Sequence, residues 1–115
     1  THDINPMVAL YADTPTELQR DYIKWGNKRF SSFFDYDGGD NPVFSINRAF
    51  NCHGHKFLFD ETTLRDLIKR IGFANIEKCE INKSKHKELK NMERHGEVIP
   101  ERFYQLEALI LEVTK

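Results

Sequence analysis

The stretch Leu106-Glu107-Ala108-Leu109-Ile110-Leu111-Glu112-Val113-Thr114-Lys115 decides how this chain is read. Its centre, Ala108-Leu109-Ile110-Leu111, is continuously apolar, where a half-exposed strand would alternate. The run therefore predicts a strand over 106–113 covered on both faces. Such a strand belongs inside a sheet with helices above and below it. Only one other segment, 73–81, reads as a strand, with Ala74 and Ile76 on one side and Cys79 and Ile81 on the other. Two strands do not form a buried sheet alone. Either a partner completes it through an unpaired strand edge, or its other strands lie outside the given sequence.

Working back from that stretch, 84–95 reads as a charged helix with only Leu89 and Met92 as large apolar residues. A helix over 60–71 is the clearest element. Asp60 is a good N-cap, and Leu64, Leu67, Ile68 and Ile71 fall at i, i+3, i+4 and i+7. Gly72 stands where a left-handed cap is needed, with Phe73 placed to fold back on Ile68. Three earlier helix starts pair an acceptor side chain with proline: Asn5-Pro6, Thr14-Pro15 and Asn41-Pro42. Thr14 and Glu17 have capping-box spacing, and Leu18, Tyr22 and Trp25 follow on one face, with Gly26 weakening the helix end. Met7, Leu10 and Tyr11 mark the first helix, and Val43, Ile46 and Phe50 the third. Between the second and third lies Phe33-Phe34-Asp35-Tyr36-Asp37-Gly38-Gly39-Asp40, an aromatic segment running into a turn. The bland reading of those aromatics is a core edge. The whole is an α+β arrangement, several helices with a two- or three-stranded antiparallel sheet.

Composition narrows the function classes. The 115 residues make one domain's worth of chain, with 17 Lys and Arg against 18 Asp and Glu. That balance gives no support for nucleic-acid binding. The basic stretch Lys83, Lys85, Lys87, Lys90 and Arg94 is interrupted by Glu88 and Glu93 and reads as a solvated face. No apolar run approaches the ~20 residues that span a bilayer, so no membrane partner is expected. The opening Thr1-His2-Asp3-Ile4 carries no signal peptide and no initiator Met, which suits a trimmed or truncated chain. Cys52 and Cys79 show no disulfide framework, so a reducing cytoplasm is the expected compartment. Cys52-His53-Gly54-His55 suggests a metal, but a tetrahedral site needs a second ligand pair. His86 and His95 do not have that spacing, so no metal is expected.

The run Gly54-His55-Lys56-Phe57-Leu58-Phe59-Asp60-Glu61-Thr62-Thr63-Leu64, followed by Leu67-Ile68 and Ile71-Gly72-Phe73-Ala74-Asn75-Ile76, resembles the C-terminal part of class I S-adenosylmethionine-dependent methyltransferases. Glu93-Arg94-His95-Gly96 resembles an E-x-H-G stretch of a subgroup of small bacterial members, and 106–115 resembles their last strand. The resemblance covers about residues 42–115. It implies the C-terminal part of an α/β Rossmann-like fold, with 1–41 as a helical insertion on the substrate side. It also implies a small-molecule or sugar-type methyl acceptor. Substrate contact falls by the same resemblance on His53, His55, Lys56 and Tyr36, against the preferred bland reading of His55 as bonded to backbone at a helix entry; catalytic residues are not identified. The family binds S-adenosylmethionine through a Gly-rich loop after its first strand. No pair among Gly26, Gly38, Gly39, Gly54, Gly72 and Gly96 makes that loop, so this chain alone is expected to hold no cofactor and to be inactive. The rival reading is a non-enzymatic α+β interaction module that self-associates through a strand edge.

Overall fold

The segment expected as a strand over 106–113 begins as a helix. The computed structural model describes residues 1–52 and 54–115, the side chains of Phe33 and Phe34 excepted. In it, helix α6 (Glu101–Glu107) precedes a short strand, β2 (Leu111–Thr114). The reason lies upstream. Pro100 occupies the helix N-cap, and Phe103, Tyr104 and Glu107 are buried at i, i+1 and i+4, a helical spacing. The apolar run then emerges from the helix in extended conformation.

From Glu107 to Thr114 the backbone is paired on two sides. On one side, Asp3 N–H donates to Glu107 O (2.8 Å) and Leu109 N–H to Thr1 O (2.8 Å), with an antiparallel bridge between His2 and Ala108. The Thr1 amino group returns a bond to Leu109 O (3.2 Å). On the other side β1 (Asn75–Lys78) lies antiparallel, in register from Asn75 opposite Thr114 to Lys78 opposite Leu111. Cys79 N–H extends that ladder to Ile110 O (3.0 Å). Residues 107 and 109 face one neighbour and 110 the other, the alternation an extended chain imposes. Residues 1–3 therefore run parallel to β1, and a parallel bridge from Asp3 to Phe59 lies beyond them. Residues 1–3 flank only 107–109 and β1 only 110–114, and Leu109 alone of Ala108–Leu111 is fully buried, so the run is not the strand covered on both faces that was expected.

The chain forms two compact units, Ile4–Leu58 and Thr1–Asp3 with Phe59–Lys115. The division falls at 58/59 rather than 41/42, because the helix at 42–51 packs with the preceding helices.

In the unit containing 59–115, α5 (Glu61–Arg70) has the expected ends. Asp60 accepts from Thr63 N–H (2.7 Å), and the Thr63 hydroxyl together with that amide holds its carboxyl below the ordinary range. At the other end Gly72 N–H donates to Lys69 O and Phe73 N–H to Ile68 O, a Schellman closure that needs the left-handed φ of 96° at Gly72. Arg65 donates to Ile76 O (2.8 Å), and Glu61 takes both Arg65 and Lys78, which ties α5 to β1. The strand expected over 73–81 is shortened because Phe73 belongs to this closure. The helix expected over 84–95 is not formed. Lys87–Leu89 and His95–Glu97 are single 3₁₀ turns, and Asn82 and Asn91 hold left-handed φ of 58°. Leu89 and Met92 are both exposed, too little burial to hold a helix.

In the unit 4–58, α1 (Ile4–Ala9), α2 (Glu17–Arg29), the single turn α3 (Ser31–Phe34) and α4 (Pro42–Asn51) follow in order. α1 and α2 both pack on α4. α1 starts at Ile4, so Asn5 and Pro6 lie within its first turn rather than capping it. α2 starts two residues later than expected. The same box pattern recurs at Thr16 and Gln19, and Gln19 also donates to Ala9 O (3.2 Å), which Glu17 could not do. Asn41 caps α4 as expected. The deepest face of α4 is Ser45, Arg48 and Ala49; Val43, Ile46 and Phe50 flank it half-buried. Gly26 sits buried in the last turn of α2, where its carbonyl accepts from Phe30 N–H. Among the described residues no helix is long and apolar enough to cross a membrane.

Candidate functional site

Among the described residues, two side-chain clusters carry chemistry, one in each unit. The first grows from the non-helical segment 82–97. Asn82, in its left-handed conformation, accepts from Glu93 N–H (3.0 Å) and fixes that residue. Glu93 in turn accepts from His95 N–H (3.1 Å), contacts His95 Nδ1, and receives the Tyr104 hydroxyl. The His95 ring lies 5.7 Å from that of Tyr104, tilted by 33°. In the neutral form of the ring, an ionised Glu93 holds the hydrogen on Nδ1 and leaves Nε2 with the lone pair. The His95 side chain is 61% exposed, so that nitrogen is within reach of a solute. A carboxylate-oriented imidazole beside a phenol is equipped to take a proton from a hydroxyl or amine.

Burial pushes the Glu93 carboxyl up, but the bonds from His95 and Tyr104 and the charge of His95 outweigh it and hold the carboxyl at about 2. Burial and the Glu93 carboxylate push the Tyr104 phenol up. The folded carboxyl lies below the unfolded value of 4.5, so its contribution is complete above that pH and is lost as pH falls towards 2. A Glu93→Gln chain should therefore lose less stability than the parent between pH 5 and 2. Urea midpoints measured across that range check this, and parallel acid limbs would contradict it.

The second cluster surrounds Arg48 on α4. Its guanidinium carbon lies 5.0 Å from the centroid of Tyr22, 5.6 Å from Trp25 and 5.0 Å from Phe30. A β-carbon at Gly26 would collide with Nη1, so glycine is what lets the guanidinium lie against α2. Beside it, Asn27 donates to Gly39 O (2.8 Å) and Asn41 O (3.0 Å) and accepts from the Ser45 hydroxyl (3.1 Å). This pins the 37–41 loop. Burial pushes the Cys52 thiol up, and the charge of Arg48 only partly offsets it.

Tyr36 and Lys56, two of the residues singled out as substrate contacts, belong to neither cluster. Tyr36 is 60% exposed and stacks on Phe44 at 5.2 Å. Lys56 is exposed, His55 is half-buried in the segment before Leu58, and His53 lies outside the described residues. Among the described residues no three His, Cys, Asp or Glu side chains converge as metal ligands. Lys83 and Lys85 of the basic stretch pair with Glu80 and Glu77 (both 2.6 Å). Arg48 was missed because at helical spacing it counts as a polar residue, and nothing local marks it as buried. The E-x-H spacing of Glu93 and His95 was visible, but Tyr104 joins them only through the fold. Comparison with protein-family models, curated proteins and solved structures gives no match.

Proposed function

We propose that this chain is the substrate-side, C-terminal portion of a class I S-adenosylmethionine-dependent methyltransferase, acting on a small molecule. What supports the reading is the strand arrangement. Residues 1–3 and β1 run parallel on either side of the antiparallel 107–114 run. A larger sheet finished in this way gains a helix, a strand parallel to residues 1–3, and a last strand antiparallel to both. The segment 80–100, with Glu93 and His95, leaves the carboxyl end of β1, the side on which open α/β sheets bind ligands. In this reading His95 takes the acceptor's proton, oriented by Glu93, and Tyr104 holds the pair in place. The compartment that suits two unbridged thiols is the reducing cytoplasm.

The cofactor itself does not fit these residues. Neither residues 1–3, which run into Ile4-Asn5-Pro6-Met7, nor β1, which runs into Cys79-Glu80-Ile81-Asn82, is followed by a glycine that brings backbone amides close to a nucleotide. The test is calorimetric titration with S-adenosylmethionine of residues 1–115 and of a chain extended upstream through its reading frame. The extended chain should bind and 1–115 should not. Binding by 1–115 alone overturns the division of labour, and an extension without a Gly-rich loop overturns the methyltransferase reading. The interaction-module reading has one observation in its favour. By strand alternation, Leu111 and Val113 present backbone groups to the edge that residues 1–3 occupy only as far as Leu109. A dimeric mass in light scattering would favour it.

A further inference from the structure

Arg48 is 4% exposed, and its Nη1 and Nη2 have no hydrogen-bond partner among the described residues. A buried ion is costly unless both its charge and its hydrogen-bonding groups are answered. Here the charge is answered by the faces of Tyr22, Trp25 and Phe30, but ring faces take none of the in-plane N–H groups as a good acceptor would. The fold is shaped around this group, since Gly26 leaves the space in which it lies. The two terminal nitrogens form a planar fork, the geometry that takes two oxygens of a carboxylate or phosphate. Arg29 adds a second guanidinium, 5.9 Å from the Trp25 and Phe30 rings.

We infer that Arg48, inside its aromatic cage, is the anchor of an oxyanion-binding site for a small molecule carrying a carboxylate or phosphate group. Trp25 and Phe30 are only half-buried, so turning one ring outward uncovers the fork. Oxyanion binding at Arg48 stands independently of the function proposed above.

The test uses the 115-residue chain and the emission of Trp25, its single tryptophan. Inorganic phosphate and acetate are titrated separately, with ionic strength held by sodium chloride. The expected result is a saturable change with at least one of them, acetate marking a carboxylate site and phosphate a phosphate site. Arg48→Met should abolish the response. Arg48→Lys, which keeps the charge but loses the fork, should weaken binding by about tenfold or more. No saturable change with either anion overturns the inference, as does an Arg48→Met chain that responds like the parent. If Arg48→Met does not fold, unchanged affinity in Arg48→Lys overturns it. No cofactor enters these titrations, so their failure leaves the methyltransferase reading standing, and the reverse also holds.

Discussion

Tyr22→Ala should destabilise the 4–58 unit by about 3–5 kcal/mol, the usual cost of emptying a large aromatic site. Tyr22 is 0% exposed. Its ring lies 6.2 Å from that of Trp25 and forms one wall of the Arg48 cage. Truncation leaves a cavity and also removes part of what offsets the buried guanidinium. A domain of this size has roughly 5–15 kcal/mol of total stability, so the variant should be marginal at room temperature. Tyr22→Phe keeps the ring and removes a hydroxyl that donates to the weak acceptor Met7 Sδ (3.9 Å), so it should cost about 1 kcal/mol or less. Urea unfolding of both variants, followed by Trp25 emission and by circular dichroism, makes the comparison. Equal losses would show that the hydroxyl, not the ring, carries the packing.

Asn27→Leu is nearly isosteric, yet it should cost about 2–4 kcal/mol, because groups left without a partner lose more than a hydrogen bond gains. The change removes two donations, to Gly39 O and Asn41 O, and the acceptor of the fully buried Ser45 hydroxyl. It should also release the 37–41 loop, seen as faster proteolysis there. Adding Ser45→Ala removes the stranded hydroxyl and should recover part of the loss, a coupling that a double-mutant cycle measures. Strictly additive losses would mean that Asn27 and Ser45 do not act together.

Where one short segment contained its own start, face and stop, it was legible from sequence. Asp60, Leu64, Ile68 and Gly72 are such a set, and α5 follows it almost to the residue. Reading failed where a local pattern had two solutions. Thr14-Pro15-Thr16-Glu17-Leu18-Gln19 holds two overlapping boxes, and only Gln19's reach to Ala9 decides between them. Leu106 has an apolar neighbourhood that suits a strand, but the burial of Phe103 and Glu107 makes it helical. The α+β class survived these shifts because it needs only the two strands and the helices around them. The clusters were less legible. Arg48 owes its burial to rings on α2 and just beyond it, and Tyr104 meets Glu93 across a loop whose course depends on Asn82 and Asn91.

The pairing of residues 1–3 with 107–109 sets an order of events during synthesis. The first partner leaves the ribosome more than a hundred residues before the second. At the usual elongation of about 5–20 residues per second, it waits on the order of 5–20 seconds. The 4–58 unit is complete in sequence during that interval and has time to fold. β1 waits as well, because its antiparallel partner follows it by some thirty residues. Of the elements described, the sheet is thus the last to close. Until it does, the apolar run around Leu109 is the segment most in need of protection from other nascent chains.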